Sequence, residues 1–290
     1  MTQIAVLTPD PADKTYVGRW PEVLERLKAT LEGSGATVVP TPWTDHVEEA
    51  SGLAAHDLIL PVIAWGYHRD HGRWLKACAT WSGAALAVGN PAEVLRWNSD
   101  KTYLARLANK GVPIPPTRWT DQVKQDQIEA AFAETGAPVL IVKPTVSAGA
   151  FRTLRLTPGE ALSDAPEGAA MIQPYLKSIE TEGETSLLFF GGRFSHAVNK
   201  RPVAGDFRIQ VQFGGLYTAV TPDAAAMALA EQVLAAIDEP LLYARIDLAC
   251  DDVGRWVLME AELIEPDFYL DHDPANGAGF ADAVKARLEA

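Results

Sequence analysis

Three carboxylates near the C-terminus are spaced so that they could share one cation. Asp247 lies in one apolar run, and Glu260 and Glu262 lie two positions apart in the next. Because side chains alternate along a strand, Glu260 and Glu262 point to one face, and a turn at 251–254 brings Asp247 close to Glu260. These charges repel one another unless a cation lies between them, and Mg²⁺ shared with phosphates would satisfy them. The alternative is a solvated hairpin face with ordinary surface acids.

A lysine at the end of an apolar run indicates a second site. Lys143 follows VLIV at 139–142, and Ser147, Ala148 and Gly149 come shortly after it. A lysine buried there needs an anion, and small residues let backbone N–H groups approach phosphate oxygens. The spacing of a Walker loop is missing. The alternative is a strand-end lysine that reaches solvent beside a flexible loop.

A short basic cluster is the third feature. Lys200, Arg201 and Arg208 concentrate positive charge beside a glycine-flanked loop in an otherwise acidic chain. Arginine suits phosphate because its planar fork can bond two oxygens. The alternative is a solvated charged turn.

Composition and charge narrow the classes of partner. The chain has 290 residues, 25 basic and 38 acidic side chains, and a net charge of -13. This charge argues against duplex nucleic acid and anionic membranes, which select basic surfaces. It does not exclude one triphosphate held by a local group of cations. The two cysteines form no disulfide framework. We find neither a signal peptide nor an apolar run long enough to span a membrane, so we expect a cytoplasmic protein and leave self-association open.

Alternating strands and helices must position these groups. In the first part of the chain, a helix from Pro21 separates two apolar runs, which is typical of an α/β layer. The strands predicted there are at 3–7, 36–39, 57–63 and 86–88. A helix follows from 99–100, and a proline group at 113–116 marks a linker.

The rest of the chain reads as further α+β structure. The strands predicted there are at 139–143, 152–156, 171–176, 186–190, 194–198, 242–250 and 256–263. The predicted helices are near 125–134, from 221 and from 277. We predict three domains: an N-terminal α/β domain at 1–95, a small subdomain with its linker at 96–176, and a C-terminal subdomain at 177–290.

Taken in order, these features resemble the ATP-grasp superfamily over roughly residues 90–270. In that family a lysine lies in a helix after the first domain, a second lysine ends a strand before a small-residue loop, and a hinge strand holds adenine. An Asp on one strand and a Glu-x-Asn or Glu-x-Glu on the next hold magnesium. The corresponding stretches here are NSDK at 98–101, VKP at 142–144, IQPYL at 172–176, RID at 245–247 and EAE at 260–262.

Within the superfamily, the chain is most similar to the cycloserine-synthetase-like branch, near glutathione synthetase and RimK-type ligases. The matching stretches are WNSDKTYL at 97–104, EGETSL at 182–187, FSHAVNKRP at 194–202 and ELIEP at 262–266. The chain departs from the pattern at Glu262, where many ligases carry Asn, and at Ala150, where a fuller glycine-rich loop has Gly.

The resemblance implies an ATP-grasp fold, in which an N-terminal α/β layer precedes two α+β subdomains that clasp the nucleotide. Lys101 and Lys143 would contact the α- and β-phosphates of ATP, with the small-residue loop closing over them. Glu184 would accept hydrogen bonds from the ribose. The groups implied for the loop and for adenine, the latter through backbone atoms, are Ser147, Ala148, Gly149, Gln173, Tyr175 and Leu176.

The resemblance also implies the metal and catalytic groups. Asp247, Glu260 and Glu262 would hold Mg²⁺. Arg208 and Arg245 would neutralise the transferring phosphoryl group, assisted by Lys200.

Substrate residues are harder to identify from the sequence. The stretch AWGYH at 64–68 follows the third predicted strand, where α/β sheets place ligand-binding loops. Trp65, Tyr67 and His68 could therefore line a small amino-acid pocket, and the alternative is an aromatic packing corner. His196 and Arg201 are further candidates, although His196 could equally be a core histidine.

The function implied is an ATP- and Mg²⁺-dependent ligase that acts on a small amino-acid-like substrate. It would form a C–N bond through a phosphorylated intermediate, for example by closing ureidoserine to cycloserine. The alternatives are an intermolecular carboxylate–amine ligase of the glutathione synthetase or RimK type, a small-molecule kinase on the same fold, and a non-catalytic nucleotide-binding module.

Overall fold

The N-terminal part of the chain forms a three-stranded parallel sheet. In this computed structural model, which describes residues 2–16, 18–32, 35–149, 151–203, 206, 208–210 and 213–290, the strand order is β2-β1-β3. The strands are β1 (Gln3–Thr8), β2 (Thr37–Pro42) and β3 (Leu58–Leu60), and helix α1 (Trp20–Glu32) connects the first two. Ala150 lies outside the described residues.

Both faces of this sheet are covered, which explains why β1 is apolar along its length. Ile4 and Val6 pack in one cluster with Leu24 of α1. Ala5 and Leu7 pack on the opposite face in a cluster with Trp74 and Trp81 of helix α2 (His71–Gly83).

The strand predicted at 86–88 is wrong. Val88 makes only an isolated parallel bridge to Ile59. Pro91 follows closely and has no N–H to extend a ladder. Helix α3 (Ala92–Asn98) begins directly after Pro91, and α4 (Tyr103–Ala108) follows it.

A second, antiparallel sheet follows the proline-rich linker. Its strands are β4 (Arg118–Thr120), β5 (Leu140–Pro144), β6 (Leu154–Leu156) and β7 (Ala170–Pro174), in the order β4-β7-β5-β6. The predicted pairing of β5 with β6 is confirmed, with Leu140 opposite Leu156. Helix α5 (Gln125–Thr135) packs Ile128 and Ala131 in one cluster with residues of this sheet.

The third sheet is antiparallel and has the order β10-β9-β8-β11-β12. Its strands are β8 (Glu184–Phe190), β9 (Arg193–Arg201), β10 (Leu216–Val220), β11 (Tyr243–Cys250) and β12 (Trp256–Glu262). The short helix α6 (Ser178–Thr181) precedes it. Helix α7 (Ala224–Ile237) packs against β11 and β12.

The last helix returns to the N-terminal part of the chain. Phe280 and Val284 of α8 (Ala278–Glu289) share a cluster with Ile4 and Leu24, and α8 contacts α1. Each sheet lies within one of the three predicted domains, and α8 packs both on α1 of the first and on β8 of the third. None of the helices in the described ranges has the length and apolar character to cross a membrane.

Asn90 joins the N-terminal part to the third sheet. Its side chain is fully buried and donates to the carbonyl oxygens of Tyr243, at 2.9 Å, and Leu263, at 2.7 Å. Its Oδ1 accepts from the Leu242 N–H at 2.8 Å. One amide thus satisfies backbone groups at the start of β11 and just after β12, the two strands that carry the predicted metal carboxylates.

Asn90→Ala should lower the free energy of unfolding by about 3 kcal/mol or more, because three buried backbone groups lose their partner. Urea unfolding monitored by circular dichroism would measure it. Asn109→Ala, at an exposed asparagine, is the control and should stay within about 0.5 kcal/mol of wild type. Equal losses in the two variants would contradict the role given to Asn90.

Candidate active site

A cavity of about 630 Å³ lies where the parts of the chain meet. Its wall includes side chains from the N-terminal part, from both antiparallel sheets and from the loop after β12. The residues predicted from the sequence that line it are Trp65, Tyr67, His68, Lys101, Lys143, Ser147, Ala148, Gly149, Gln173, Tyr175, Leu176, Glu184, Lys200, Arg208, Arg245, Asp247, Glu260 and Glu262.

The hairpin of β11 and β12 has the register that side-chain alternation predicts. Asp247 lies directly opposite Glu260, and Arg245 lies opposite Glu262. A register shift follows between Asp247 and Leu248, on the side of the turn. The prediction that the turn brings Asp247 close to Glu260 is confirmed.

Asp247 is surrounded by cationic groups. Arg245 contacts it through Nη2, at 3.0 Å from Oδ2, and through Nε, at 3.1 Å from Oδ1. The Nζ of Lys200 lies 3.2 Å from Oδ2 of Asp247 and 2.7 Å from Oε1 of Glu184. The Ser186 hydroxyl donates to Asp247, and Arg245 also pairs with Glu262.

Burial and these cations set the protonation of the carboxyl groups. Burial alone would raise the pKa of Asp247, but Arg245 and Lys200 lower it to about 2. Burial raises the pKa of Glu262 to about 7, against the opposing effect of Arg245. Burial likewise raises the pKa of Glu184, although Lys200 opposes the shift. Asp247 is therefore the firmly ionised member of this group.

Two lysines from different parts of the chain meet at Glu260. The Nζ of Lys143 lies 3.1 Å from Oε1, and the Nζ of Lys101 lies 3.6 Å from Oε2. Lys101 also donates to the carbonyl oxygen of Ser147 at 3.0 Å. The predicted phosphate lysines, the small-residue loop and one predicted metal carboxylate are thus brought together.

Hydrogen bonds to β12 and to the loop fix the segment that carries Lys101. The Lys101 N–H donates to the Thr145 carbonyl oxygen at 2.8 Å. The Asn98 side chain donates to the Ala261 carbonyl oxygen and accepts from the Leu263 N–H, at 2.8 and 3.0 Å. Asn98 was given no role from the sequence, because its partners are 163 and 165 residues away.

One end of the cavity is apolar. Leu176, Ile179, Ile209 and Met259 pack in one cluster and line the wall. The last three were missed from the sequence, since they belong to separate elements and share no motif. The backbone N–H of Tyr175 is already bonded to the carbonyl oxygen of residue 139 at 3.0 Å, so it is engaged within the second sheet.

The aromatic loop after β3 forms the N-terminal wall. Tyr67 is buried and packs on Trp74, with ring centroids 4.9 Å apart. Tyr67 therefore lines the cavity and is also part of the aromatic packing corner that was the alternative from the sequence. The His68 ring lies 5.7 Å from that of Phe151, and its Nδ1 is buried without a hydrogen-bond partner in the described part of the chain. Burial lowers the pKa of His68 to about 4, so this ring is neutral at physiological pH.

Two substrate candidates lie outside the cavity wall. His196 bonds through Nε2 to the Phe268 carbonyl oxygen at 2.9 Å and through Nδ1 to the Ser195 hydroxyl at 3.0 Å. It is thus a satisfied core histidine. Arg201 follows Lys200 on β9 and therefore points away from the cavity; its Nε donates to Asn199 at 3.1 Å. The structure corrects both assignments.

The carboxylates suit a hard cation but do not enclose one. No three His, Cys, Asp or Glu side chains in the described ranges come together closely enough to hold a metal ion by themselves. Asp247, Glu260 and Glu262 nevertheless occupy opposed or alternate positions of one hairpin and offer the oxygen donors that Mg²⁺ prefers. These three carboxylates therefore fit a Mg²⁺ ion that takes its remaining ligands from the phosphates of a nucleotide.

Glu260 should stabilise the fold at neutral pH and lose this effect in acid. Burial would raise its pKa, but Lys101 and Lys143 lower it from 4.5 to about 2. The stabilisation is therefore fully present above about pH 4.5 and is lost as the pH falls through about 2. Lys143→Met should flatten this acid-side loss, because the pKa of Glu260 rises.

Urea unfolding in EDTA over that pH range would measure the slope. Lys285→Met, at an exposed lysine on α8, provides the control and should retain the wild-type slope. An unchanged slope in Lys143→Met would contradict the coupling between Lys143 and Glu260.

Two curated proteins are similar to the chain in sequence. The cycloserine biosynthesis protein DcsG of Streptomyces lavendulae is 29% identical over 274 residues, which cover 88% of this chain and 90% of that protein. The glutathione synthetase of Prochlorococcus marinus (strain MIT 9313) is 27% identical over 209 residues, which cover 69% of this chain and 64% of that protein. No protein-family model matches the chain.

Solved structures share its fold. The crystal structure of D-cycloserine synthetase DcsG has a TM-score of 0.80 and 25% identity, and the match covers 99% of each chain. The ATP-grasp ligase PsnB, in complex with a phosphomimetic variant of a minimal precursor, Mg and ADP, has a TM-score of 0.69 and 14% identity over 99% of this chain and 98% of that one. The mixed α/β fold predicted from the sequence is confirmed.

Proposed function

We propose a specific reaction for this chain, which belongs to the ATP-grasp superfamily and is an ATP-grasp ligase. The reaction is the Mg²⁺-dependent formation of a C–N bond on a small amino-acid-like substrate, through a phosphorylated intermediate. The observation that carries the proposal is the meeting of Lys101 and Lys143 at Glu260, in the cavity that also holds Asp247 and Arg245. The similarity to D-cycloserine synthetase supports the substrate class.

The nucleotide would lie along the cavity from its apolar end to the two lysines. Lys101 and Lys143 would bind phosphate oxygens, and Glu184 would accept from the ribose. The adenine would lie against the apolar cluster, with the backbone of residues 173–176 beside it. Ser147, Ala148 and Gly149 would cover the phosphates, because Lys101 already ties this loop to the site through the Ser147 carbonyl oxygen.

Asp247, Glu260 and Glu262 would hold the magnesium ion, which when bound neutralises phosphate charge and orients the phosphoryl group for transfer. Arg245 would face the transferring group, held in place by Asp247 and Glu262 on either side. Lys200 would orient Asp247 and Glu184 and add positive potential. Arg208, which lines the cavity and pairs with Asp206, would approach from the opposite loop.

The proposed chemistry has two steps. A carboxylate oxygen of the substrate attacks the γ-phosphorus of ATP, and the bond to the β,γ-bridging oxygen breaks to release ADP. A nitrogen then attacks the resulting acyl phosphate, loses a proton, and displaces inorganic phosphate. Positioning and electrostatics supply most of the catalysis in such phosphoryl transfers, so fixed cations are the groups that the first step needs.

The source of the nitrogen distinguishes two forms of the reaction. An intramolecular nitrogen closes a ring, as from ureidoserine to cycloserine, where water must also cleave the carbamoyl group from that nitrogen to give carbon dioxide and ammonia. The similarity to D-cycloserine synthetase favours this form. A nitrogen from a second molecule gives a linear amide, which the similarity to glutathione synthetase supports.

Phosphate release from ATP and Mg²⁺ tests the reaction with a panel of amino acids and ureido-amino acids. Substrate-dependent formation of ADP and phosphate, together with a product containing a new C–N bond by mass spectrometry, is the expected result. A stable phosphorylated product would identify a kinase instead. No turnover with any member of the panel would count against the substrate class.

Lys143→Ala and Glu260→Gln should each reduce turnover by at least about 100-fold, because Lys143 would bind the phosphates and Glu260 would hold the magnesium ion that stabilises the transferring phosphoryl group. Steady-state phosphate release measures the loss, and circular dichroism verifies the fold. Lys285→Ala, at an exposed lysine far from the site in sequence, should retain wild-type activity. Near-normal turnover in either site variant would overturn the assignment of Lys143 or Glu260.

A further inference from the structure

One carboxylate in the cavity wall differs from the others. Asp247, Glu260, Glu262 and Glu184 each contact at least one lysine or arginine, and Asp267 accepts from the Tyr269 N–H at 2.9 Å. Glu265 also lines the cavity, yet within the described ranges no hydrogen bond or ion pair involves its side chain. It lies three residues after Glu262, in a loop whose sequence alone gave it no role.

The backbone around Glu265 is held firmly. The Tyr243 hydroxyl donates to the carbonyl oxygen of Ile264 at 2.8 Å, and the Leu263 N–H donates to Asn98 at 3.0 Å. Leu263 and Ile264 are themselves buried. The half-buried side chain of Glu265 is thus presented to the cavity from a fixed position, rather than from a loose turn.

Glu265 interacts electrostatically with two parts of the cavity. Lys101 and Arg245 act on it from the phosphate side. Its charge in turn influences the pKa values of Tyr16 and Tyr67 in the N-terminal wall. Glu265 therefore lines the same cavity as the phosphate-side cations and the aromatic wall, and it interacts electrostatically with both.

A carboxylate in such surroundings favours a cationic ligand. Burial and the neighbouring Glu262 raise the pKa of Glu265 to about 8, so its anion is poorly stabilised by the protein alone. An anion removed from water gains most from a charged donor that bonds it directly.

The aromatic rings of the N-terminal wall are already faced by arginines, with Arg19 over Trp65 and Arg69 over Tyr16. The rings of Tyr16 and Trp65 lie 5.6 Å apart, and both line the cavity. The case for an organic cation therefore rests on Glu265, a lone carboxylate that a charged amine can bond directly, whereas Mg²⁺ requires several oxygen ligands. The unpartnered Nδ1 of His68 adds a neutral polar group to the same wall.

We propose that Glu265 anchors the ammonium group of the substrate, so that a free amine beside the reacting carboxylate is required for binding. This inference rests on the proposed function, because it takes the substrate to be an amino acid whose carboxylate faces the lysines. Glu265 is here a binding residue, and it makes the site selective for α-amino acids over the corresponding simple carboxylic acids.

The test is calorimetric titration of the protein saturated with Mg²⁺ and a non-hydrolysable ATP analogue. The probes are the two enantiomers of O-ureidoserine and 3-(ureidooxy)propanoate, which lacks only the amine. In wild type, at least one enantiomer should bind about tenfold or more tightly than the deamino probe, which is the effect of one charge-assisted hydrogen bond. In Glu265→Gln this preference should fall below about threefold.

Two further variants make the result specific. Glu265→Asp keeps the charge and should restore part of the preference. Glu239→Gln removes an exposed glutamate outside the cavity wall and should leave the preference unchanged. Affinity for the ATP analogue should stay within about twofold of wild type in all variants, and thermal melting confirms that each is folded.

The outcomes separate this inference from the proposed function. A preference that persists in Glu265→Gln, or a deamino probe that binds wild type as tightly as ureidoserine, overturns the role of Glu265 while nucleotide binding stands. Failure of all probes to bind wild type also overturns it. Loss of binding of the ATP analogue by wild type would instead count against the proposed function itself.

Discussion

The site depends on one constraint, which is that carboxylates removed from water on the β11–β12 hairpin must be neutralised inside the protein. Each neutralising cation comes from a different place. Lys143 comes from the second sheet, Lys200 from β9, Arg245 from the hairpin itself, and Lys101 from the segment between α3 and α4. Removing one partner of a buried pair leaves an uncompensated charge, at a cost of about 3–5 kcal/mol. Charge balance at Glu260 and Asp247 therefore ties separate parts of the fold to one another.

The same cations give the site its chemistry. Lys101 and Lys143 satisfy Glu260, and a triphosphate would compete with Glu260 for both of them. A carboxylate relieved of its lysines needs another cation, and a divalent ion held jointly with the phosphates supplies it. In the proposed function, nucleotide and metal therefore favour each other's binding. This follows from the charge balance alone and requires no movement of the strands.

The sequence predicted the parts of the site that depend on local geometry. Side-chain alternation and a short turn were enough to bring Asp247 to Glu260, and a lysine ending an apolar run identified Lys143. The groups that escaped prediction depend on contacts between distant segments. Asn90 bonds carbonyl oxygens 153 and 173 residues away, and no local pattern predicts such pairs.

Helix α2 was missed although Trp74, Ala77, Cys78 and Trp81 have the spacing of a buried helical face. His196 and Arg201 were only candidates from the sequence, and their hydrogen bonds and strand alternation place them outside the cavity wall.

The net charge of -13 describes the whole surface and not the cavity. Four cations of the cavity wall gather around Glu260 and Asp247, namely Lys101, Lys143, Lys200 and Arg245, so an anion meets a locally positive field there. Arg19 and Arg69 line the N-terminal wall, over the rings of Trp65 and Tyr16. Glu265 lines the same cavity but has no cationic partner in the described part of the chain. In the proposed binding mode, an amino acid would lie with its carboxylate toward the lysines and its ammonium toward Glu265. The first proposed step needs that orientation, because the carboxylate oxygen must reach the phosphoryl group. The asymmetry of charge within the cavity, more than its shape, would thus select the reactive pose.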